Sequence, residues 1–275
     1  MKPKIKFNSV APGIKSFSIR FIFLTFLLIG SVAGAQQANL TILDGDAGET
    51  SGVANPGSFL VTLTGIGLSF DRTINVTVQG ASTAQASVDR DPIPATLFIP
   101  AGQTQGVIPV QGIVDDNLVE GDETVILTLL AGFGYSLDPV VANRTKTLIV
   151  KDNDVGQFTI TTLDADAVEE TPATVAGEGR FRIDLDKENG TGQAVTVAYT
   201  LTGSANNGGA NSDYTTAGQA VFSFPSEAAT PVLARALRII PIDDDVAEAD
   251  ETVIMTTNNP SNTALFSFGA APVPV

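Results

Sequence analysis

The chain has no cysteine, no histidine and no tryptophan, and each absence removes a class of chemistry. Without Cys there is no disulfide to staple the fold and no N-terminal thiol for lipid attachment, so stability must come from core burial or bound metal. Without His the commonest zinc and copper ligand and the usual general base are missing. Neither a Ser-His-Asp nor a Cys-His arrangement can be assembled. The metal chemistry left open is that of a hard cation held by oxygen. Paired carboxylates can cleave glycosides, but only beside a substrate cleft and with one acid of raised pKa, and Trp, the usual sugar platform, is absent. The chain is therefore read as a binding or structural protein, not an enzyme.

Charge is also scarce, 16% of residues, and unevenly placed. Lys2, Lys4, Lys6, Lys15 and Arg20 precede an apolar run from Phe21 to Leu28 that ends in the small residues Ser31 to Ala35. This pattern predicts a helical secretory signal peptide over residues 1–35, cleaved after Ala33-Gly34-Ala35. The run is shorter than the roughly 20 residues a membrane-spanning helix needs, so no span is expected after cleavage. Secretion or display at the cell surface follows. Removing five basic and no acidic residues changes the net charge from −15 to −20, with ten Lys and Arg against thirty Asp and Glu. Such a field repels nucleic acid and anionic membranes and attracts cations.

Hydrophobic residues make up 43% of the chain, enough for packed cores. From Gln36 onward short apolar alternations are broken by Gly, Pro, Asn and Asp, the pattern of an all-β sandwich. Clear strands are predicted over 58–64, 73–79, 106–114, 123–130 and 144–151, and again over 179–185, 194–201, 233–241 and 251–257. The acidic run from Asp115 to Ile126 recurs from Asp243 to Ile254, an offset of 128, and Leu43-Asp44-Gly45-Asp46-Ala47 is echoed by Leu163-Asp164-Ala165-Asp166-Ala167 at an offset of 120. Two tandem antiparallel sandwiches are expected, over 36–154 and 155–275. About eight extra residues fall to the second unit, most simply in loops such as Ser204 to Ser212, where Asn and Gly abound. A counterpart of strand 144–151 is missing, so the second sandwich is expected to lack its last strand, as in a fragment of a longer array.

Up-and-down parity in the first repeat gathers four connecting segments at one end. They hold Glu49, Asp89, Asp91, Asp115, Asp116, Glu120, Asp122, Asp152 and Asp154, whereas the opposite end holds little acid beyond Asp71 and Asp138. So many like charges on one rim repel unless protonation or a cation relieves them. Ca²⁺ suits the task, since it takes six to eight oxygen ligands in tolerant geometry, whereas Mg²⁺ demands a strict octahedron. Acidic loop ends can equally be solvated turns, because Asp and Asn bond the local backbone.

The duplicated run, with the terminal Lys151-Asp152-Asn153-Asp154 and Ser212-Asp213-Tyr214, resembles the signature of Calx-beta domains, found in sodium/calcium exchangers, integrin β4 and many secreted bacterial repeat proteins. The resemblance implies a seven-stranded immunoglobulin-like sandwich and Ca²⁺ as the ion. It points to Glu49, Asp89, Asp115, Asp116, the carbonyl of Leu118, Glu120, Glu123, Asp152 and Asp154 as ligands, with Asp91 competing for the place of Asp89. In the second repeat it points to Asp213, Asp243, Asp244, the carbonyl of Val246, Glu248 and Glu251, with Glu170 or Glu169. The second repeat has no closing Asp-x-Asp, so weaker binding is expected there. The reading is a Ca²⁺-binding structural or adhesion module that partners calcium ions and other surface proteins or glycans. A metal-independent spacer or adhesin scaffold is the alternative, and a carbohydrate-active enzyme the third.

Overall fold

The computed structural model describes residues 36–49, 55–65, 69–169, 177–209, 211–226, 230–244 and 246–269. The expected signal peptide and Glu170 lie outside the described residues. The first repeat contributes β1 (Gln36–Asp44), β2 (Ala47–Gly48), β3 (Gly57–Thr64), β4 (Arg72–Val78), β5 (Thr96–Ile99), β6 (Gln105–Val110), β7 (Leu118–Val119), β8 (Glu123–Leu130), β9 (Tyr135–Leu137) and β10 (Thr145–Lys151). The second contributes β11 (Gly156–Asp164), β12 (Gly179–Leu185), β13 (Glu188–Asn189), β14 (Val195–Gly203), β15 (Tyr214–Ala217), β16 (Val221–Phe224), β17 (Ala234–Pro241), β18 (Val253–Thr257) and β19 (Phe266–Phe268). The described chain is almost entirely β, as the alternation predicted. Among the described residues no helix is long and apolar enough to cross a membrane.

In the first repeat the sheet β6-β3-β1-β9 faces the sheet β2-β10-β8-β4-β5. Period-two alternation explains the sandwich: β3 turns Phe59, Val61 and Leu63 inward, and β8 turns Val125, Leu127 and Leu129 inward, all at most 3% exposed. Burying each such side chain favours folding by about 1.5–3 kcal/mol. Gly57 is required at its place, because a Cβ there would stand 2.7 Å from Leu148 Cδ1. The strand expected to reach Val114 stops at Val110, and Gly112 then takes the left-handed conformation at φ +65°.

In the second repeat β15-β17-β12-β11-β19 faces β16-β14-β18 around Phe158, Phe222, Phe224, Leu237 and Phe266. Phe158 and Phe224 pack as a tilted ring pair 4.9 Å apart. Among the described residues nothing corresponds to β10. The ladders refine the expected fold in two ways. The pairing is not wholly antiparallel, since β1·β9, β2·β10, β11·β19 and β7·β13 are short parallel pairs. The extra residues of the second unit are spread over several loops, of which the one containing Ser204 to Ser212 takes a smaller share. Ladder registers set the offset at 122 for β3 and β12, 125 for β5 and β16, and 129 for β6 and β17. The largest step therefore lies between β16 and β17, where chain length is free because the segment is a connection between strands.

The repeats meet through the first acidic run. Its β7 pairs with β13, and Val119, fully buried, belongs to the second repeat's hydrophobic cluster. Gly190 donates its N–H to the Val119 carbonyl at 2.9 Å.

Candidate metal centre

Backbone pairing brings the acids of the first repeat together. The parallel pair β2·β10 sets Glu49 beside the exit of β10, and the Glu49 N–H bonds the Lys151 carbonyl at 2.8 Å. Asp152 Oδ2 accepts from the N–H groups of Glu120 and Gly121 at 2.9 and 2.6 Å, tying the acidic run to the end of β10. Asp152 Oδ1 accepts from the Asp154 N–H at 2.6 Å, an Asx-type turn that folds Asp154 inward. Asp116 Oδ1 likewise caps the Leu118 N–H at 2.7 Å.

Two carboxylate groups result. One oxygen each from Glu49, Asp152 and Asp154 lie within 4.8 Å of one another, and so do oxygens of Asp89, Glu120 and Glu123. Asp154 is 4% exposed, yet its Oδ2 has no hydrogen-bond partner among the described residues, and neither has the buried Oε2 of Glu49. Burial, reinforced by Asp152, Asp116, Glu120 and Asp154, pushes the Glu49 carboxyl up to about 8. Glu123 is also pushed up to about 8, by burial first and then by Asp89, Glu120 and Asp152. Glu120 and Asp152 thus act on both groups.

The other acids of the rim make hydrogen bonds and ion pairs of their own. Asp115 Oδ1 accepts from Asn153 Nδ2 at 2.9 Å, and Asp122 pairs with Lys151 at 2.5 Å. Asp91, the competitor of Asp89, packs its carboxylate against Gly112, where a Cβ would stand 2.4 Å from Asp91 Cγ. Leu118, whose carbonyl was the expected ligand, lies in β7, and its side chain packs against Gly190. At the opposite end Asp138 accepts from the Val140 N–H, Asn39 and Asn143, and Asp71 accepts from the Ala101 N–H, so neither joins the cluster.

Sequence reasoning missed two cations. Arg90 is 3% exposed beside Asp89 and Glu123, which raise its pKa against the stronger lowering by burial. Its place between Asp89 and Asp91 was the available signal. Lys187, from the second repeat, forms an ion pair with Asp154 Oδ1, a contact that no local pattern encodes.

In the second repeat oxygens of Asp213, Glu248 and Glu251 lie within 4.8 Å of one another. Glu248 and Glu251 are exposed. Glu251 is raised by its hydrogen bond to Asp213, then by partial loss of water; Glu248 is raised by partial loss of water, then by Asp213 and Asp244. Asp244 Oδ1 caps the Val246 N–H at 2.7 Å, repeating the turn at Asp116, while Asp243 stays exposed. Glu169 adds to the repulsion on Glu248 and Glu251.

No protein-family profile matches the chain, and no curated protein matches it. Among solved structures it is similar to the CBD12 fragment from CALX1.2, at 16% identity over 82% of this chain and 80% of that one, with a TM-score of 0.34. It is similar to the apo-form Calx CBD1 domain at 19% identity over 42% of this chain and 98% of that one, TM-score 0.34. A protein of unknown function from Bacteroides ovatus shares 10% identity over 82% and 93%, TM-score 0.33.

Proposed function

We propose that this chain is a Ca²⁺-binding structural or adhesion module of a secreted or cell-surface protein. Residues 1–35 serve as the signal peptide, and 36–154 and 155–275 are the two tandem modules. One observation carries the reading: Glu49 and Asp154 bury carboxylate oxygens without hydrogen-bond partners in a group shared with Asp152. A buried acceptor left unpaired is costly, more so when it is charged. A cation would satisfy both oxygens and let all the neighbouring acids ionise. Oxygen donors without nitrogen or sulfur fit Ca²⁺ rather than zinc or copper.

Glu49, Asp152 and Asp154 would hold one ion and Asp89, Glu120 and Glu123 another, with Asp213, Glu248 and Glu251 as a weaker, exposed site. The ion supplies positive charge. The residues supply a preformed rim, because Asp152 already anchors the acidic run to β10. Calorimetric titration of the full chain with Ca²⁺ is expected to show saturable heat that Glu49→Gln with Asp154→Asn largely removes. An absence of heat in the parent chain sinks the reading.

The alternative is a spacer that needs no metal, favoured by the protein's own counter-ions: Lys151 on Asp122, Lys187 on Asp154 and Arg90 beside Asp89. It predicts the same melting temperature in Ca²⁺ and in chelator.

A further inference from the structure

The connection from β4 to β5 turns an arginine into the protein. Ser87 stands at φ +68°, a non-glycine residue in the left-handed region, and donates its N–H to the Arg90 carbonyl at 2.7 Å. Such a conformation is costly and persists where its surroundings hold it. Here the Asp89 N–H bonds the Gln85 carbonyl at 3.0 Å, and the segment after β6 ties down both sides of Arg90. The Val114 N–H bonds the Asp89 carbonyl at 3.0 Å, and the Asp91 N–H bonds the Gln111 carbonyl at 2.9 Å. Arg90 is held at 3% exposure as a result.

That buried guanidinium is under-bonded. Among the described residues its one hydrogen bond runs from Nη1 to the Asp91 carbonyl at 2.9 Å, although a guanidinium carries several donors in a fixed fork. Its Nε–H is buried without an acceptor. Asp89 and Glu123 act on it by charge but form no hydrogen bond with it. Arg90 also borders a cavity of about 390 Å³, a size that suits a small molecule. The walls are largely apolar, with Val78, Pro92, Ile93 and Pro94 among them, and Arg90 is the one charged residue of the lining.

We propose that this cavity binds a small organic monocarboxylate with an apolar body, its carboxylate on the Arg90 guanidinium and its body against Val78 and Ile93. The carboxylate supplies the acceptors the guanidinium lacks, in a charge-assisted pair whose two planar groups match. An inorganic anion would lose its water against prolines and branched side chains and gain nothing there. Neither Asp89 nor Glu123 lines the cavity, so a bound anion meets Arg90 before it meets either acid. At physiological salt the remaining acidic surface is screened beyond about 8 Å.

The full isotope-labelled chain is titrated with benzoate at physiological salt in chelator, so the outcome is independent of the Ca²⁺ reading, and amide shifts are followed by NMR. Saturable shifts are expected over residues 76–79 and 84–90. Benzamide, alike in shape but uncharged, should bind about tenfold more weakly or worse, because the charge-assisted pair is lost. Arg90→Met should abolish saturation. Ala86→Leu fills the cavity from an exposed position and leaves Arg90 in place, so it should weaken benzoate about tenfold with the melting temperature unmoved. Failure of benzoate to saturate overturns the proposal, as does benzamide binding equally well or Ala86→Leu leaving benzoate affinity intact. Shifts centred on exposed bases such as Lys151 would assign the binding to surface ion pairing and overturn it too.

Discussion

The same acidic run sits in two different surroundings within this one chain. In the first repeat β10 delivers Asp152 and Asp154 to the run and β2 holds Glu49 beside them, so carboxylates are buried and two are pushed up to about 8. In the second repeat no such strand is present among the described residues, and Glu248 and Glu251 remain exposed. Equal motifs therefore do not make equal sites. Water screens an exposed pair of acids, whereas a covering strand removes the water and adds further charge.

The largest expected contrast lies in the cores. Phe59→Ala should cost about 3–5 kcal/mol, as for other fully buried aromatics, and Phe181→Ala less than half of that, because its ring is already partly exposed. Urea unfolding of the two variants checks this, and equal losses would break the comparison. Next comes the ion. At free Ca²⁺ about 100 times its dissociation constant, linkage should stabilise the chain by about 2.7 kcal/mol, seen as a higher melting temperature. Asp154→Asn should remove most of that gain, and Glu248→Gln little of it.

A pH series in chelator sharpens the contrast further. Glu49 and Glu123 have folded pKa values above the usual 4.5, so between pH 4.5 and about 8 the folded chain binds more protons than the unfolded one. Stability should therefore fall as pH rises through that window. Glu49→Gln with Glu123→Gln should flatten the decline, and a profile that rises there instead would contradict the clustering. The smallest effect is expected at Lys151, whose exposed pair with Asp122 contributes at most about 1 kcal/mol. Lys151→Ala should leave the denaturation midpoint almost unmoved.

Much of this arrangement could be read along the chain. Parity of strand direction was enough to put Glu49, Asp89, Glu120, Asp152 and Asp154 at one end and Asp71 and Asp138 away from it, because alternating strands leave no other place for their connections. The finer distribution was not legible. Asp91 and Asp89 differ by two residues, yet only Asp89 faces Glu120 and Glu123, since the turn at Gly112 claims Asp91. The pairing of Asp115 with Asn153 and of Asp122 with Lys151 also depends on which loops touch after folding. Lys187 lies 33 residues from Asp154, and only the docking of β13 on β7 brings it near.

Sequence alone determined that this chain forms sheets, that it repeats, and that no histidine or cysteine is on hand to ligate a metal, because those follow from local alternation and residue inventory. Tertiary structure decided which carboxylates lose their water and which keep it. Burial and charge crowding are properties of neighbours in space, and the strand that supplies them in one repeat has no counterpart described in the other.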